Sequence, residues 1–297
     1  MRLKLTFISA VFLLSACQTV QDQSIPLNHE FKQHADQFNV KRPTWRLSDT
    51  VYQQKLQGPR DTFEITGTET GWGKSEKSQH WFSQSGFSIN GIEIRDKFLR
   101  ILFLDLLGMR EKSRHGYLLK SENDFAFTVN ANQSDMVQVR CRRLSIDDQL
   151  ETTYKMGGNK TRVREATIRL DSYLGCDLQR GGKNWFLSVD TLRNDTPTVS
   201  IRGEEQKVED TFQFELIKDN SYLVNGEWRT VSFNFQHFSG LQFQRGNQTV
   251  GAMSFDGNNP KIWIGKQVPS ENKSLMLAMS YSLMMYDWLD SGWRSTH

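Results

Sequence analysis

The 297-residue chain lacks a surplus of either charge sign: 37 Lys and Arg stand against 34 Asp and Glu, a formal net charge of +3. Nucleic-acid binding relies on Lys and Arg in excess to displace counterions from phosphates, so no nucleic-acid partner is expected. Long apolar runs are missing too. The uncharged stretch from Leu275 to Tyr286 would make a helix of only about 18 Å, against a hydrocarbon core of about 30 Å. No Gly-x-Ser-x-Gly elbow, Walker loop, His-Glu-x-x-His helix or calcium-loop pattern occurs. His29 and His34 are five apart, off one helical face, and His80, His115, His237 and His297 are scattered. No metal, cofactor or catalytic residue is therefore assigned. The three cysteines show no Cys-x-x-Cys spacing, which removes the short-range signature of a redox pair or a zinc site.

What is present begins with Leu14-Ser15-Ala16-Cys17, behind basic Arg2 and Lys4 and the apolar run Leu5–Leu14. The pattern resembles the lipobox of bacterial lipoproteins. That resemblance implies cleavage before Cys17, a diacylglycerol thioether on its sulfur and acylation of the new amino terminus. Residues 1–16 then form a signal peptide, 17–28 a polar lipidated tether, and 29–297 a single predominantly β domain in the periplasm. Loss of Arg2 and Lys4 lowers the net charge from +3 to +1. Gln18 follows the cysteine where inner-membrane retention often uses Asp, so the resemblance also implies an outer-membrane location, the domain facing the periplasm. With Cys17 modified, Cys141 and Cys176 are the only possible intramolecular pair, and an oxidising periplasm favours joining them. Chain entropy assigns such a bridge about 3 to 4 kcal/mol.

Period-two alternation of β-branched or aromatic with polar residues predicts strands over 62–68, 124–130, 136–144, 166–170, 184–190, 198–202, 211–217, 227–235, 241–245, 249–255 and 261–265. In this phase Val137, Val139 and Cys141 share one face, with Gln138, Arg140 and Arg142 on the other. Leu174, Cys176 and Leu178 likewise share a face. Both sulfurs then point to the apolar side. Many short strands without intervening helices predict a mainly β fold, an antiparallel barrel or sandwich, with one or two short helices besides a C-terminal one.

A first helix is expected from Asn28 as N-cap to about Val40, with Phe31, Ala35 and Phe38 on one face. Lys97–Met109 is dense enough in apolar residues for a buried helix, a buried strand ending at Gly108, or an interfacial segment. Near the C-terminus, Ser270 is the expected N-cap of a helix that is apolar all round and so buried, with Ser280 and Ser282 bonded locally, and with Asp287, Asp290, Ser291 and Gly292 at its exit into solvent. The hairpin Leu241–Phe255, the strand Lys261–Gly265 and this closing helix are similar to the end of tubby-like and scramblase-like barrels, which wrap a hydrophobic helix. That resemblance implies lipid or membrane-surface contact.

Ser270 and Lys273 match Ser-x-x-Lys, but too little chain follows for the further elements of a penicillin-binding enzyme. Asp147-Asp148, Glu204-Glu205 and Glu209-Asp210 read as turn carboxylates. Arg140, Arg142, Arg143, Lys160, Arg162 and Arg164 form either a solvated sheet face or a contact for anionic headgroups. Trp72, His80, Trp81 and Phe82 are core aromatics or rings exposed for sugar or peptide stacking. The expectation is a non-enzymatic outer-membrane lipoprotein that binds an envelope lipid, glycan or protein partner, or supports assembly. The alternative is a periplasmic hydrolase of wall or lipid with catalytic groups brought from distant strands.

Overall fold

A computed structural model describes residues 25–42, 52–71, 73–80, 87–89, 92–94, 110–132, 135–155, 161–192, 196–203, 212–218, 221–224, 227–230, 236–255 and 260–296. A short helix α1 (His29–Gln33) precedes β1 (Ala35–Asn39), β2 (Tyr52–Gln57), β3 (Thr62–Thr70), β4 (Lys74–His80), β5 (Phe87–Ile89) and β6 (Ile92–Ile94). Three long strands follow, β7 (Arg110–Asn132), β8 (Asp135–Lys155) and β9 (Thr161–Arg180), then β10 (Lys183–Leu192) and β11 (Thr198–Gly203). The last group is β12 (Gln213–Lys218), β13 (Ser221–Val224), β14 (Glu227–Thr230), β15 (Gln236–Arg245), β16 (Gln248–Ser254), β17 (Lys261–Gly265), helix α2 (Ser270–Leu289), a 3-10 turn (Ser291–Arg294) and β18 (Ser295–Thr296). The protein is mainly β, with antiparallel pairing throughout these ladders.

The larger sheet runs β11-β10-β9-β8-β7-β3-β2, with β4 added alongside β7; the smaller runs β1-β17-β16-β15-β12, with β18 on β15. Strands next to each other in sequence are mostly next to each other in space, because tight turns join them. Gly181 and Gly182 link β9 to β10 with φ of 53° and 78°, the left-handed conformation a two-residue hairpin turn requires. The sheets lie face to face, β1 beside β2 and β11 beside β12. No hydrogen-bonded ladder joins them among the described residues, so the enclosure is sandwich-like and not a closed barrel.

Helix α2 fills the space between the sheets, packing on β7, β8 and β9 of the larger and β17 of the smaller. Every residue from Lys273 to Asp287 is buried, as expected of a helix with no polar face. Phe125, Phe127, Val139, Leu174 and Leu178 form the larger sheet's inner face; Leu241, Phe243, Met253, Ile262 and Ile264 form the smaller's. Contact is close: a Cβ on Gly251 would lie 2.2 Å from the Met276 methyl. The smaller sheet is covered on its outer side as well. Ile25 is buried there against Ile217, Ala252 and Trp263, with Leu27 and Phe31 beside it, so the chain already packs four residues before α1.

Several expectations change. Asn28 does cap α1, its carboxamide oxygen accepting from Glu30 N at 2.9 Å, but the helix ends at Gln33. Beyond it Asp36, Phe38 and Val40 are all buried while their neighbours are not, a strand period that charged Asp36 disguises. For α2 the N-cap is Pro269, whose carbonyl accepts from Asn272 and Lys273, and Ser270 is the first helical residue. Its pre-set φ of −56° and ψ of 144° supply the cap geometry that Ser270 was expected to give. Ser282 Oγ donates to Ala278 O at 2.8 Å, whereas Ser280 Oγ finds no partner among the described residues. The apolar stretch Lys97–Met109 lies outside the described residues.

Leu283 is fully buried in α2. Leu283→Asp should unfold the domain, because desolvating an unpaired carboxylate costs several kcal/mol against a total stability of about 5 to 15 kcal/mol; deletion after Pro269 should act likewise. Circular dichroism melts decide the matter. A truncated protein that melts as the full chain does would make the helix peripheral.

Candidate functional site

Cys141 and Cys176 are register partners on β8 and β9 and form a disulfide, with Cα atoms 4.0 Å apart. Both are buried on the helix-facing side, as the strand phase predicted. Because side chains alternate, the residues flanking each cysteine point the other way. Arg140 and Arg142 on β8, and Gly175 and Asp177 on β9, therefore share the outer face of the larger sheet above the bridge.

That outer face carries an open groove of about 670 Å³. Tyr173 and Phe186 border it around Gly175, where an added Cβ would stand 3.1 Å from the Tyr173 ring and hydroxyl and 3.3 Å from the Phe186 ring. The bare glycine lets two aromatic edges lie low over the backbone. Phe186 remains 40% exposed, unusual for a phenylalanine on a strand whose inner neighbours are fully buried. Charges of both signs line the rest: Arg140 and Arg142 with Glu69, Asp124 and Asp177. Arg142 Nε donates to Asp124 Oδ1 at 3.0 Å in an exposed pair. Arg140 stands across the ladder from Asp177. Burial, then the nearby Asp190 and Asp177, raise the Tyr173 hydroxyl above its ordinary range. Asp171 at the same sheet end is raised by burial and by Asp190, and its Oδ1 has no partner among the described residues.

Arg143 is one position further and faces inward. Its guanidinium reaches Asp290 Oδ2 at 2.9 and 3.1 Å, Asn123 Oδ1 at 2.8 Å and Ser145 Oγ at 2.9 Å. Ser172 bonds both Asp290 and the Tyr286 hydroxyl. Asp287 is likewise held by Arg294, Nε to Oδ1 at 2.5 Å, while Arg294 also donates to Phe238 O. The expectation that Asp287 and Asp290 lead into solvent is thus corrected: both are buried, since each finds a guanidinium inside. Arg143 leaves the solvated basic face for the same reason.

Lys273 is buried and pairs with Asp61 at 2.5 Å, with Asp36 at 4.0 Å, while Ser270 is exposed; no nucleophile–base contact forms between them. Asp147-Asp148 lies within β8 and not in a turn, with Asp147 buried on the face that Arg143 and Ser145 continue. Arg162 and Arg164 are exposed on β9. His29 pairs with Gln33 and His34 with Glu30 O, both at an exposed helix, and no group of three metal-ligating side chains occurs among the described residues. No described helix is long and apolar enough to cross a membrane. Cys17, Trp72, Trp81, Phe82, Lys160, Glu204-Glu205, Glu209-Asp210, His297 and the side chains of His80, His115 and His237 lie outside the described residues.

Sequence reading missed Tyr173, Gly175, Asp177 and Phe186. The available signal was two aromatics at outward strand positions. Fold and groove together define a two-sheet antiparallel β protein with an enclosed helix and an open groove on the outer face of its larger sheet. No family model, no curated protein and no solved structure matches this chain.

Arg143→Met should destabilise by about 3 to 5 kcal/mol, the cost of leaving the buried Asp290 charge without its guanidinium; denaturant melts measure it, and a loss under 1 kcal/mol would mean that Asp290 reaches water. Burial raises Asp287, the Arg294 charge and hydrogen bond pulling it partly back. The folded state therefore keeps this proton at pH values where the unfolded chain has lost it, so the group's contribution to stability falls as pH rises from the ordinary carboxylate range through the raised value. Asp287→Asn should remove that slope from unfolding free energies measured across the window; an unchanged slope refutes the assignment.

Proposed function

We propose that the protein is a non-enzymatic outer-membrane lipoprotein, anchored through Cys17 and facing the periplasm, whose larger sheet presents its outer face to a component of the envelope. The observation that carries this reading is the open groove behind a disulfide-stapled sheet, in a chain whose leader reads Leu14-Ser15-Ala16-Cys17. A cross-strand bridge beneath the groove fits an oxidising compartment. An open, solvated groove favours binding over hydrolysis, because a chemical step is helped by excluding water. A rigid sheet, in turn, suits recognition, because little ordering entropy is lost when a ligand docks.

Cys17→Ala should block lipidation and processing, since no other cysteine lies near the cleavage point. Mass spectrometry of the mature amino terminus is the measurement. Wild-type protein that starts at another residue, or at an unmodified Cys17, would remove the anchor from the proposal. In the mature lipoprotein no free thiol should titrate, and Cys141→Ser should cost about 3 to 4 kcal/mol; two reactive thiols in the native protein would place it in a reducing compartment.

A further inference from the structure

We propose that the groove on the larger sheet takes a neutral glycan built of N-acetylated hexosamines, an inference that rests on reading this face as the binding face. Charge selects the class first. Arg140 and Arg142 meet three carboxylates, Glu69, Asp124 and Asp177, and Asp190 lies close enough to Tyr173 to raise its hydroxyl. A polyanion such as a phosphorylated headgroup would meet more negative than positive charge, while a cationic peptide would meet two guanidinium groups on the groove lining. Three carboxylates against two guanidinium groups leave the lining close to neutral, so neither a polyanion nor a polycation gains a strong net attraction. A ligand without net charge pays no such penalty and can still use every charged group as a hydrogen-bond partner.

Shape and chemistry narrow the class further. Tyr173 and Phe186 lay their ring edges over the backbone of Gly175, and Phe186, 40% exposed, offers apolar ring surface to the groove that a flat, rigid ring can cover. Sugar rings present C–H groups on one face and hydroxyls around the rim. The faces would rest on the aromatics, and the rim hydroxyls would donate to the carboxylates and accept from the guanidinium groups. An acetamido substituent adds one N–H and one C=O on the same carbon, a donor and an acceptor that a mixed lining of carboxylate and guanidinium can satisfy together. A lipid chain would need a continuous apolar floor, and here five charged side chains interrupt it. The groove's volume of about 670 Å³ lies within the usual range of ligand pockets, roughly 300 to 1,000 Å³.

The test is saturation-transfer NMR on the mature lipoprotein in a polyoxyethylene detergent, which avoids sugar headgroups. The probes are the tetramer of N-acetylglucosamine and glycerophosphoglycerol, the soluble headgroup of an anionic lipid. The tetramer should receive saturation at its ring and acetyl protons. Phe186→Ala should weaken it about tenfold or more, and Gly175→Val, whose side chain would push the Tyr173 and Phe186 rings out of place, should abolish it. Tyr173→Phe, which keeps the ring, should retain most of the binding. Phe186 is exposed and outside the core cluster, so its variant should keep the wild-type melting temperature. No saturation of the tetramer, or saturation indifferent to both Phe186→Ala and Gly175→Val, overturns the proposal. Saturation of glycerophosphoglycerol in place of the tetramer overturns the glycan while leaving an anchored envelope-binding protein intact. An unlipidated Cys17 with groove-dependent tetramer binding does the reverse.

Discussion

Burial of α2 on every side is the constraint on which the rest of the molecule depends. A twenty-residue helix with no polar face needs apolar surface all around it, and one sheet supplies only half. Two sheets facing each other solve that problem. The arrangement also decides which sheet faces remain free. The larger sheet gives its inner face to α2 and the smaller sheet gives both, one to α2 and one to the segment around Ile25, which packs on Ile217, Ala252 and Trp263. Among the described residues, the outer face of the larger sheet is left to carry the groove.

Enclosing the helix creates a difficulty at its ends, where polar backbone and charged side chains enter the interior. Near the first turn Lys273 meets Asp61, and Ser274 donates to Asp135, which Arg180 also holds. At the last turn two aspartates stand where the helix dipole already places negative charge. Arg143 from β8 and Arg294 from the chain just beyond the helix neutralise them. These pairs specify how far the helix slides into the enclosure, since a slip of one turn would separate each carboxylate from its cation. Apolar packing alone would tolerate such a slip, as Met and Leu recur throughout Leu275–Met285.

The disulfide links core and groove through the same alternation that separates them. Its sulfurs lie in the core beneath the strands, and the flanking positions on the two bridged strands carry Arg140, Arg142, Gly175 and Asp177. Covalent attachment there holds the register of β8 against β9, and a register slip of one residue would exchange the outer and inner faces. The core and the groove thus rely on one pairing of strands.

By itself the sequence determined what depends on local period and local chemistry. Alternation placed most strands, the phase around Cys141 put both sulfurs on the apolar side, and the uncharged run Leu275–Tyr286 announced a buried helix. The run from Arg2 to Cys17 carries the proposed leader and anchor in its order of residues alone. Tertiary structure decided everything that rests on distant partners. Asp287, Asp290 and Arg143 look like surface charges until the fold brings carboxylates and guanidinium groups together, and Asp36 hides a strand for the same reason. Polar stretches of β7, β8 and β9 extend well past the predicted strands because neighbouring ladders hold them, not because of intrinsic periodicity. The groove was equally out of reach. Tyr173, Gly175 and Phe186 are ordinary residues of two strands, and only the pairing of β9 with β10, backed by a helix on the opposite face, sets them side by side where water meets the sheet.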